Sequence, residues 1–287
     1  MKSLIVGMGI GQLYHSVFTS LEFDIETVDS DASKNPTYTD IDLVDGCFHV
    51  AVICTPNFTH EAIARRIAAQ CQIVFIEKPG VKDAATWQKL VDDFPQTKFI
   101  MVKNNQYRET IGRFRELVQQ SKTIEILWNN KNRIPNPGSW FTNKELAFGG
   151  VSRDLIPHML SYYCTLADFK SGDRTISTAE QRHQLEHIDS TDYGTVNKDG
   201  VYNVDDFCQL CYTANGRTWK LSADWKNDTS DDLYILFDGK VNTPLGLCPE
   251  EAYKAMISAA VSNLTNPLFW KSQLEQDLWI HQQIENL

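Results

Sequence analysis

A glycine-rich turn follows the first apolar segment of the chain and constrains the fold more than any other feature. The segment SLIVG leads into Gly7-Met8-Gly9-Ile10-Gly11, and an amphipathic stretch comes next. Only glycine lets backbone amides approach a phosphate closely, and a helix N-terminus attracts phosphate. The pattern predicts a βα unit that binds a pyrophosphate. Because the spacing is GxGxG, with Gln12 where a GxGxxG motif has its last glycine, a bare structural turn is the alternative.

An acidic residue ends the next predicted strand, IETVD. This residue, Asp29, lies 18 residues after Gly11, about where a carboxylate accepts hydrogen bonds from the adenosine ribose hydroxyls. A carboxylate there repels a 2′-phosphate, so the sequence predicts NAD as the cofactor, with NADP as the alternative. Asp31 is a second candidate for the role, and a solvated loop acid is the other interpretation.

Short apolar strands alternate with amphipathic helices over the first hundred residues. The predicted strands HVAVICT, IVFIEK and KFIMVKN are separated by helical segments such as EAIARRIAAQ. This alternation predicts an α/β fold, with a doubly wound parallel Rossmann sheet over residues 1–104. Ligands on such sheets bind beyond the carboxyl ends of the strands, so the residues directly after each strand are the candidate site residues.

The pattern changes after about Asn105. A predicted helix, a strand (TIEILWNN) and a long helix (GGVSRDLIPHMLSYYCTLADF) are followed by strand-like runs joined at Asn215-Gly216 and Asp238-Gly239. We therefore expect a second, α+β domain over residues 105–287 with a mostly antiparallel open sheet, which binds substrate and forms oligomers. The helical C-terminal stretch, broken near Asn266-Pro267, is a candidate to pack back on the first domain.

Composition excludes several classes of protein. The chain has 287 residues, a net charge of -10 and no basic cluster, so nucleic acid is not an expected partner. Its seven cysteines are an odd number at irregular spacings, which indicates a reducing compartment. Neither a signal peptide nor an apolar run of about 20 residues is apparent. We expect a soluble cytoplasmic protein without membrane contact, in which the Cys208 and Cys211 pair contributes core and surface thiols.

Four motifs occur together in a characteristic order. They are the βαβ start, Thr55-Pro56-Asn57 with His60, Glu77-Lys78-Pro79, and GGxxxDxxxH ending in Asp154 and His158. Over roughly residues 3 to 160 the chain resembles the Gfo/Idh/MocA family of sugar and inositol oxidoreductases. It departs from the family's pattern in having Pro157 where many relatives have glycine and GGV where many have three glycines.

The resemblance implies roles for individual residues. Lys78 would lie near the nicotinamide and stabilise charge on the reacting oxygen, in a turn that often contains a cis peptide. His158 would act as general acid or base, and Asp154 would contact substrate or orient the histidine. A helix-capping aspartate with a core histidine is the alternative for that pair. The predicted cofactor-binding residues are Gly7, Gly9, Ile10, Gly11, Asp29, Thr55, Pro56, Asn57, His60, Glu77 and Lys78.

The resulting hypothesis is reversible hydride transfer between NAD(H) and a hydroxyl-bearing carbon of a sugar, cyclitol or nucleotide-linked sugar. Two alternatives remain: an imine reductase, because the opening Gly7 to Tyr14 looks similar in that class, and a non-catalytic dinucleotide-binding regulator. A homodimer or homotetramer is expected from the family. Further polar and aromatic residues are weaker candidates for lining the substrate site: Tyr107, Arg108, Asn132, Arg133, Arg153 and Trp140. The segment with His183, Glu186, His187 and Asp189 is interpreted as a solvated face, and no metal is expected.

Overall fold

The computed structural model describes residues 1–167, 169, 176–185, 188–227, 232–241 and 245–287. The chain forms two compact units, one of Met1–Tyr107 and Pro249–His281 and one of Arg108–Cys248 and Gln282–Leu287. The α-helices of the described residues are α1 (Gly11–Ser20), α2 (His60–Ile67), α3 (Ala84–Asp93), α4 (Ile111–Gln120), α5 (Lys144–Ala147), α6 (Val151–Asp154), α7 (Ile156–Leu166), α8 (Glu250–Ser262) and α9 (Pro267–Ile284).

The first unit contains a five-stranded parallel sheet in the order β2-β1-β3-β4-β5. Its central strands are almost continuously apolar and are buried, as expected for strands covered on both faces. The predicted doubly wound fold is confirmed. The strands are β1 (Lys2–Val6), β2 (Asp24–Val28), β3 (Phe48–Ile53), β4 (Cys71–Ile76) and β5 (Lys98–Met101).

The strand order reverses between β1 and β3, and Gly7 lies directly after β1 at this point. Gly7 has φ +94°, and a Cβ atom there would lie 2.9 Å from the carbonyl carbon and oxygen of Cys54. Only glycine fits this close approach with a positive φ. The first glycine of the turn therefore lets the chain leave β1 against the end of β3, where open α/β sheets bind ligands.

The second unit contains a six-stranded sheet in the order β11-β10-β6-β9-β8-β7. Its neighbouring strands are antiparallel except β6 and β9, which run parallel, so the predicted mostly antiparallel sheet is confirmed. The turn at Asn215-Gly216 has φ +52° and +70°, the conformation that favours these two residue types in a tight hairpin. The strands are β6 (Thr123–Asn129), β7 (Ile176–Arg182), β8 (Phe207–Ala214), β9 (Arg217–Asp224), β10 (Asp232–Phe237) and β11 (Lys240–Val241).

The prediction of one helix through GGVSRDLIPHMLSYYCTLADF is wrong. The segment forms two helices, α6 and α7, which are separated at Leu155. The cause is Pro157, which has no N–H to donate and whose ring clashes with the carbonyl four residues earlier in a continuous helix. The N–H of His158 instead bonds the Leu155 carbonyl at 3.1 Å. Asp154 therefore ends one helix, and His158 lies in the first turn of the next.

Within the part of the chain that the structure describes, no helix combines the length and the apolar character needed to cross a bilayer.

Candidate functional site

The glycine turn leaves room for a phosphate group at the start of α1. A Cβ atom at Gly9 would have no atom of the described chain within 4 Å, and the adjacent Ile10 is 47% exposed. No side chain caps the N-terminus of α1, and its first turn, which begins at Gly11, has no acidic residue. The N–H groups and the dipole of such a terminus favour an anion. The turn therefore fits the pyrophosphate of a dinucleotide.

Asp29 is held beside the glycine turn by three hydrogen bonds. Its Oδ2 accepts from the Met8 N–H at 2.7 Å and from Lys34 Nζ at 2.9 Å, and its Oδ1 accepts from the Asp31 N–H at 2.9 Å. Partial burial acts to raise the pKa of Asp29, but hydrogen bonds from Lys34, Asp31 and Met8 outweigh it and hold the pKa below its usual value. The carboxylate remains ionised, with a lysine cation at its side. The Asp31 carboxylate accepts from Ser33 instead.

His60 joins the turns that follow β3 and β4. Its side chain is fully buried, with Nε2 2.8 Å from the Thr55 carbonyl oxygen and Nδ1 2.7 Å from the Gly80 carbonyl oxygen. Burial lowers the pKa of His60, although both carbonyls favour its protonated form. Thr55 and Pro56 are partly exposed, whereas Asn57 is buried. Any effect of His60 on a cofactor therefore passes through the two turns that it supports.

The Glu77-Lys78-Pro79 turn exposes only its lysine, since the residues on both sides of Lys78 are buried. Tyr14 of α1 donates its hydroxyl to Glu77 Oε1 at 2.7 Å, and Glu77 Oε2 accepts from the Lys78 N–H at 3.2 Å. Burial and the neighbouring Glu77 raise the pKa of Tyr14 well above its usual value, so the hydroxyl keeps its proton. The Lys78-Pro79 bond is cis, as the resemblance implies. Lys78 is thus the one chemically active group that this turn presents to solvent.

The C-terminal helix α9 supports the same turn through His281, a residue that the sequence did not single out. His281 accepts a hydrogen bond from the Val81 N–H at 3.2 Å through Nε2, and its Nδ1 lies 2.7 Å from the Asp277 carbonyl oxygen. A Cβ atom at Gly80 would lie 2.6 Å from His281 Nε2. His281 is fully buried and packs on Trp87 with ring centroids 5.0 Å apart.

A buried ion pair anchors α9 at the end of β5. Lys103 and Asp277 are 1% and 0% exposed, and their side chains form a short hydrogen bond. Asp277 also accepts from the Met101 N–H at 3.1 Å. Burial raises the pKa of Asp277 to about 6, with Lys103 opposing the shift. No local pattern pointed to this role, because α9 carries several other polar residues, such as Lys271 and Glu275, that are exposed or partly exposed.

Asp154 and His158 are the two partly exposed residues in an otherwise buried stretch, residues 151–164. Asp154 Oδ2 accepts a hydrogen bond from the indole Nε1 of Trp225 at 3.2 Å. The ring of His158 packs against Trp128, with ring centroids 5.4 Å apart. The helix break at Leu155 therefore leaves both predicted catalytic side chains at the surface of the second unit, each beside a tryptophan.

A carboxylate that the sequence did not indicate holds the helix bearing Asp154. Asp205 is 2% exposed and accepts hydrogen bonds from the Gly150 N–H at 2.8 Å, the Ser152 N–H at 2.7 Å and the Ser152 hydroxyl at 2.8 Å. A carboxylate at a helix N-terminus satisfies N–H groups that have no partner within the helix. A Cβ atom at Gly150 would lie 1.9 Å from the Asp205 carbonyl oxygen, so glycine is required there.

Several weaker candidates make structural contacts. Arg108 donates to the carbonyls of Leu245 and Gly246, both at 2.9 Å. Asn132 donates to the Ser190 carbonyl at 3.2 Å. Arg133 lies over the Tyr193 ring, 5.6 Å from its centroid, and the ring of Trp140 stacks on that of Phe141 with centroids 3.9 Å apart. Burial and the nearby Asp277 raise the pKa of Tyr107 to about 12. Arg153 is buried.

The described residues contain no group of three metal-ligating side chains. His183 is exposed, and Glu186 and His187 lie outside the described residues. Cys208 is buried and Cys211 is half-buried.

The N-terminal part of the chain is similar to a known family. Residues 1–104 match GFO_IDH_MocA, the "oxidoreductase family, NAD-binding Rossmann fold". These residues are therefore similar to the NAD-binding domain of the Gfo/Idh/MocA family. The sequence-based resemblance to this family is therefore confirmed over that range.

One curated relative of the Gfo/Idh/MocA domain comes from Amycolatopsis mediterranei strain S699 and is named as a candidate UDP-kanosamine synthase oxidoreductase subunit. It is 29% identical over 115 residues, which are 39% of this chain and 32% of that protein. The chain thus spans about a third of the length of the curated relative that it matches.

Solved structures share the fold of the whole chain at low identity. GenD2 from gentamicin A biosynthesis, in complex with NAD, has a TM-score of 0.73 at 18% identity and covers 100% of this chain and 94% of its own. The super-repressor mutant of Gal80p from Saccharomyces cerevisiae has a TM-score of 0.75 at 13% identity, with the same coverages. At these identities the likeness shows the fold alone.

Proposed function

We propose that this protein is an NAD-dependent dehydrogenase that acts on a CH–OH group of a sugar, cyclitol or nucleotide-linked sugar. The single observation that carries the proposal is the exposure pattern at the predicted catalytic residues. Lys78, Asp154 and His158 each reach the surface from an otherwise buried segment, and buried polar contacts support the two segments. Side chains that serve only packing would be buried with their neighbours, whereas reactive groups must reach a ligand.

The glycine turn and Asp29 are proposed to hold the dinucleotide. The amides at the start of α1 would bind its pyrophosphate, and the ionised Asp29 would accept hydrogen bonds from the adenosine ribose. Lys34, 2.9 Å from Asp29 Oδ2, partly offsets the charge that would repel a 2′-phosphate. NAD is therefore the proposed cofactor, and NADP is expected to bind less tightly rather than to be excluded. When bound, the nicotinamide supplies the hydride acceptor.

The chain's own contribution is to move the proton and to stabilise charge. His158 would accept the proton of the substrate hydroxyl, while the Lys78 ammonium donates a hydrogen bond to the same oxygen and stabilises developing negative charge. Asp154 would orient the imidazole or hold a neighbouring hydroxyl. Its hydrogen bond from Trp225 keeps one carboxylate oxygen in a defined direction. In the reverse direction, protonated His158 returns the proton to the alkoxide.

A nucleotide-linked sugar is one of the proposed substrate classes because the curated relative from Amycolatopsis is named for a UDP-sugar enzyme. A small polyol is also a proposed substrate, because it carries the CH–OH group on which the proposed reaction acts. We also propose that the chain acts as a homo-oligomer, as the family resemblance implies, and that it is cytoplasmic, as its irregularly spaced cysteines indicate.

The test is a two-stage experiment on the purified protein. Fluorescence titration with NADH and NADPH measures cofactor binding, and absorbance at 340 nm then follows NAD⁺ reduction with myo-inositol, D-glucose and UDP-glucose. Binding of NADH with turnover of at least one alcohol, lost in His158→Ala, supports the proposal. Binding without turnover of any alcohol favours a dinucleotide-binding regulator, and reduction of an imine but no alcohol favours the imine reductase. Absence of dinucleotide binding would contradict all three.

A further inference from the structure

We infer that Trp225 is a positioning residue, which holds the Asp154 carboxylate in the direction that the proposed reaction requires. The inference rests on the proposed function in assigning a catalytic role to Asp154. Its structural basis is a hydrogen bond from the Trp225 indole Nε1–H to Asp154 Oδ2 at 3.2 Å, within the second unit. Trp225 is fully buried, whereas Asp154 is partly exposed.

Charged residues hold the main chain at the end of β9, next to the hydrogen-bond donor Trp225. Asp206 is fully buried, accepts from Arg182 Nε at 2.8 Å, and its backbone carbonyl accepts from the Trp225 N–H at 2.9 Å. Arg182 also binds Asp224, the last residue of β9, at 2.8 Å. The main chain at Trp225 is therefore held by two contacts, one through Asp206 and one through the neighbouring Asp224.

The acceptor, Asp154, is held in place by Asp205, the residue that precedes Asp206 in the sequence. Asp205 binds the amides of Gly150 and Ser152, at the start of the short helix that ends at Asp154. The consecutive residues Asp205 and Asp206 thus hold the two partners of the Trp225–Asp154 hydrogen bond. Proteins position reactive groups through such buried supporting contacts, because a misplaced group loses rate steeply.

An indole N–H is well suited to this task. Tryptophan has one donor and no acceptor, so it can bind the carboxylate but cannot take or give a proton in the reaction. Hydrogen bonds to a charged acceptor are stronger than those between neutral groups. Fixing Oδ2 restricts rotation of the carboxyl group, and it leaves the substrate or His158 facing a carboxylate of constant orientation.

The chain provides a matched control in Trp219. It lies on β9, the strand that Trp225 directly follows, is 1% exposed, and its indole Nε1 has no hydrogen-bond partner among the described residues. Replacement of either buried tryptophan by phenylalanine removes a similar volume from the core of the second unit. Trp225→Phe removes the hydrogen bond as well, so the difference between the two variants isolates its effect.

The first arm of the test needs no enzyme activity. In ¹H–¹⁵N TROSY spectra of the full-length protein, the indole signals of Trp225 and Trp219 are assigned by their loss in the two phenylalanine variants. Asp154→Ala is expected to move the Trp225 indole proton upfield and to speed its exchange with solvent, while the Trp219 signal stays in place. An unmoved Trp225 signal would overturn the inference, whether or not the protein proves to be a dehydrogenase.

The second arm measures turnover on the alcohol that supports the highest rate. Trp225→Phe is expected to lower kcat by about tenfold to a hundredfold, with the KM of the alcohol and NADH affinity changed less than about twofold. In an Asp154→Ala background the same change should have almost no further effect, because the group that it positions is gone. Equal losses in both backgrounds, or an equal loss in Trp219→Phe, would show a merely structural role. If the wild type turns over no alcohol while the indole signal moves as expected, the proposed function fails and the positioning contact stands.

Discussion

Tyr14 and Glu77, 63 residues apart in the chain, are joined by a buried hydrogen bond of 2.7 Å from the phenol hydroxyl to Oε1. The bond links α1, whose N-terminus follows the glycine turn, to the turn that presents Lys78. The helix start proposed to bind pyrophosphate and the turn proposed to act at the reacting oxygen therefore belong to elements that are hydrogen-bonded to each other within one unit. The fully buried Tyr14 cannot contact a ligand itself, so its contribution is to support these two parts.

Replacement of Tyr14 by phenylalanine should therefore affect both stability and turnover. The change removes the hydrogen bond from Tyr14 to a buried Glu77 oxygen, which costs about 1–3 kcal/mol in the free energy of unfolding. We expect a lower kcat from the loosened Lys78 turn, measured together with urea unfolding. Tyr38→Phe is the control, since Tyr38 donates a similar bond to Glu26 of β2 at 3.0 Å but in a part-buried setting. Equal effects of the two changes would contradict the proposed support of Lys78.

Asp29 should determine the affinity for the adenosine half of the cofactor. Asp29→Ala removes a charged acceptor, and a hydrogen bond to a charged group is worth about 1.5–3 kcal/mol, so NADH affinity should fall by about tenfold to a hundredfold. NADPH affinity should fall less or rise, because a repulsive charge is lost. Isothermal titration measures both. If Asp31→Ala weakens NADH binding and Asp29→Ala does not, the ribose contact belongs to Asp31.

The buried pair of Lys103 and Asp277 should be sensitive to loss of one partner. Lys103→Met leaves an uncompensated carboxylate in the core, and we expect a loss of about 3–5 kcal/mol in the free energy of unfolding. The double variant with Asp277→Leu should recover much of this loss. Lys198→Met, in an exposed pair with Asp189, should change stability by less than about 1 kcal/mol. Urea unfolding followed by circular dichroism compares the variants, and additive losses in the double variant would argue against a coupled pair.

Asp277 should also give stability a measurable pH dependence. Burial raises its pKa to about 6 in the folded chain, against about 3.9 for an unperturbed aspartate. Between these values the folded protein keeps a proton that the unfolded chain releases, so the contribution of this carboxyl to stability falls as pH rises from about 4 to about 6 and is constant above. The fall is of the order of 3 kcal/mol. Unfolding free energies of wild type minus Asp277→Asn, measured from pH 4 to 7, should decline accordingly, and a flat difference would contradict the shifted pKa.

Local pattern was sufficient to predict the parallel sheet, the glycine turn and the hairpins. Apolar strand content and residues such as Asn215-Gly216 act over a few positions, so the sequence alone carries the information. The long helix through Asp154 and His158 was wrong because its apolar periodicity continues through a proline. The ring and missing N–H of Pro157 outweigh that periodicity and split the helix.

The supporting residues could not be predicted from the sequence. Asp205, Trp225 and His281 act on partners that are far away in the chain, the last at a separation of 200 residues. A lone aspartate or tryptophan carries no local pattern that names its partner. These contacts are tertiary, and only the fold brings their atoms together.

Lys78, although it is among the predicted cofactor-binding residues, is proposed to act chiefly on the reacting oxygen. The most direct measurement is single-turnover reduction of NAD⁺ by the best alcohol, at saturating cofactor, in wild type, Lys78→Met and Lys82→Met, where Lys82 is an exposed lysine four residues along the chain. We predict that Lys78→Met slows hydride transfer by about a hundredfold or more, as expected for loss of a charge-stabilising donor, while NADH affinity and the Lys82→Met rate stay within about twofold of wild type. A Lys78→Met enzyme that transfers hydride at the wild-type rate would contradict the account.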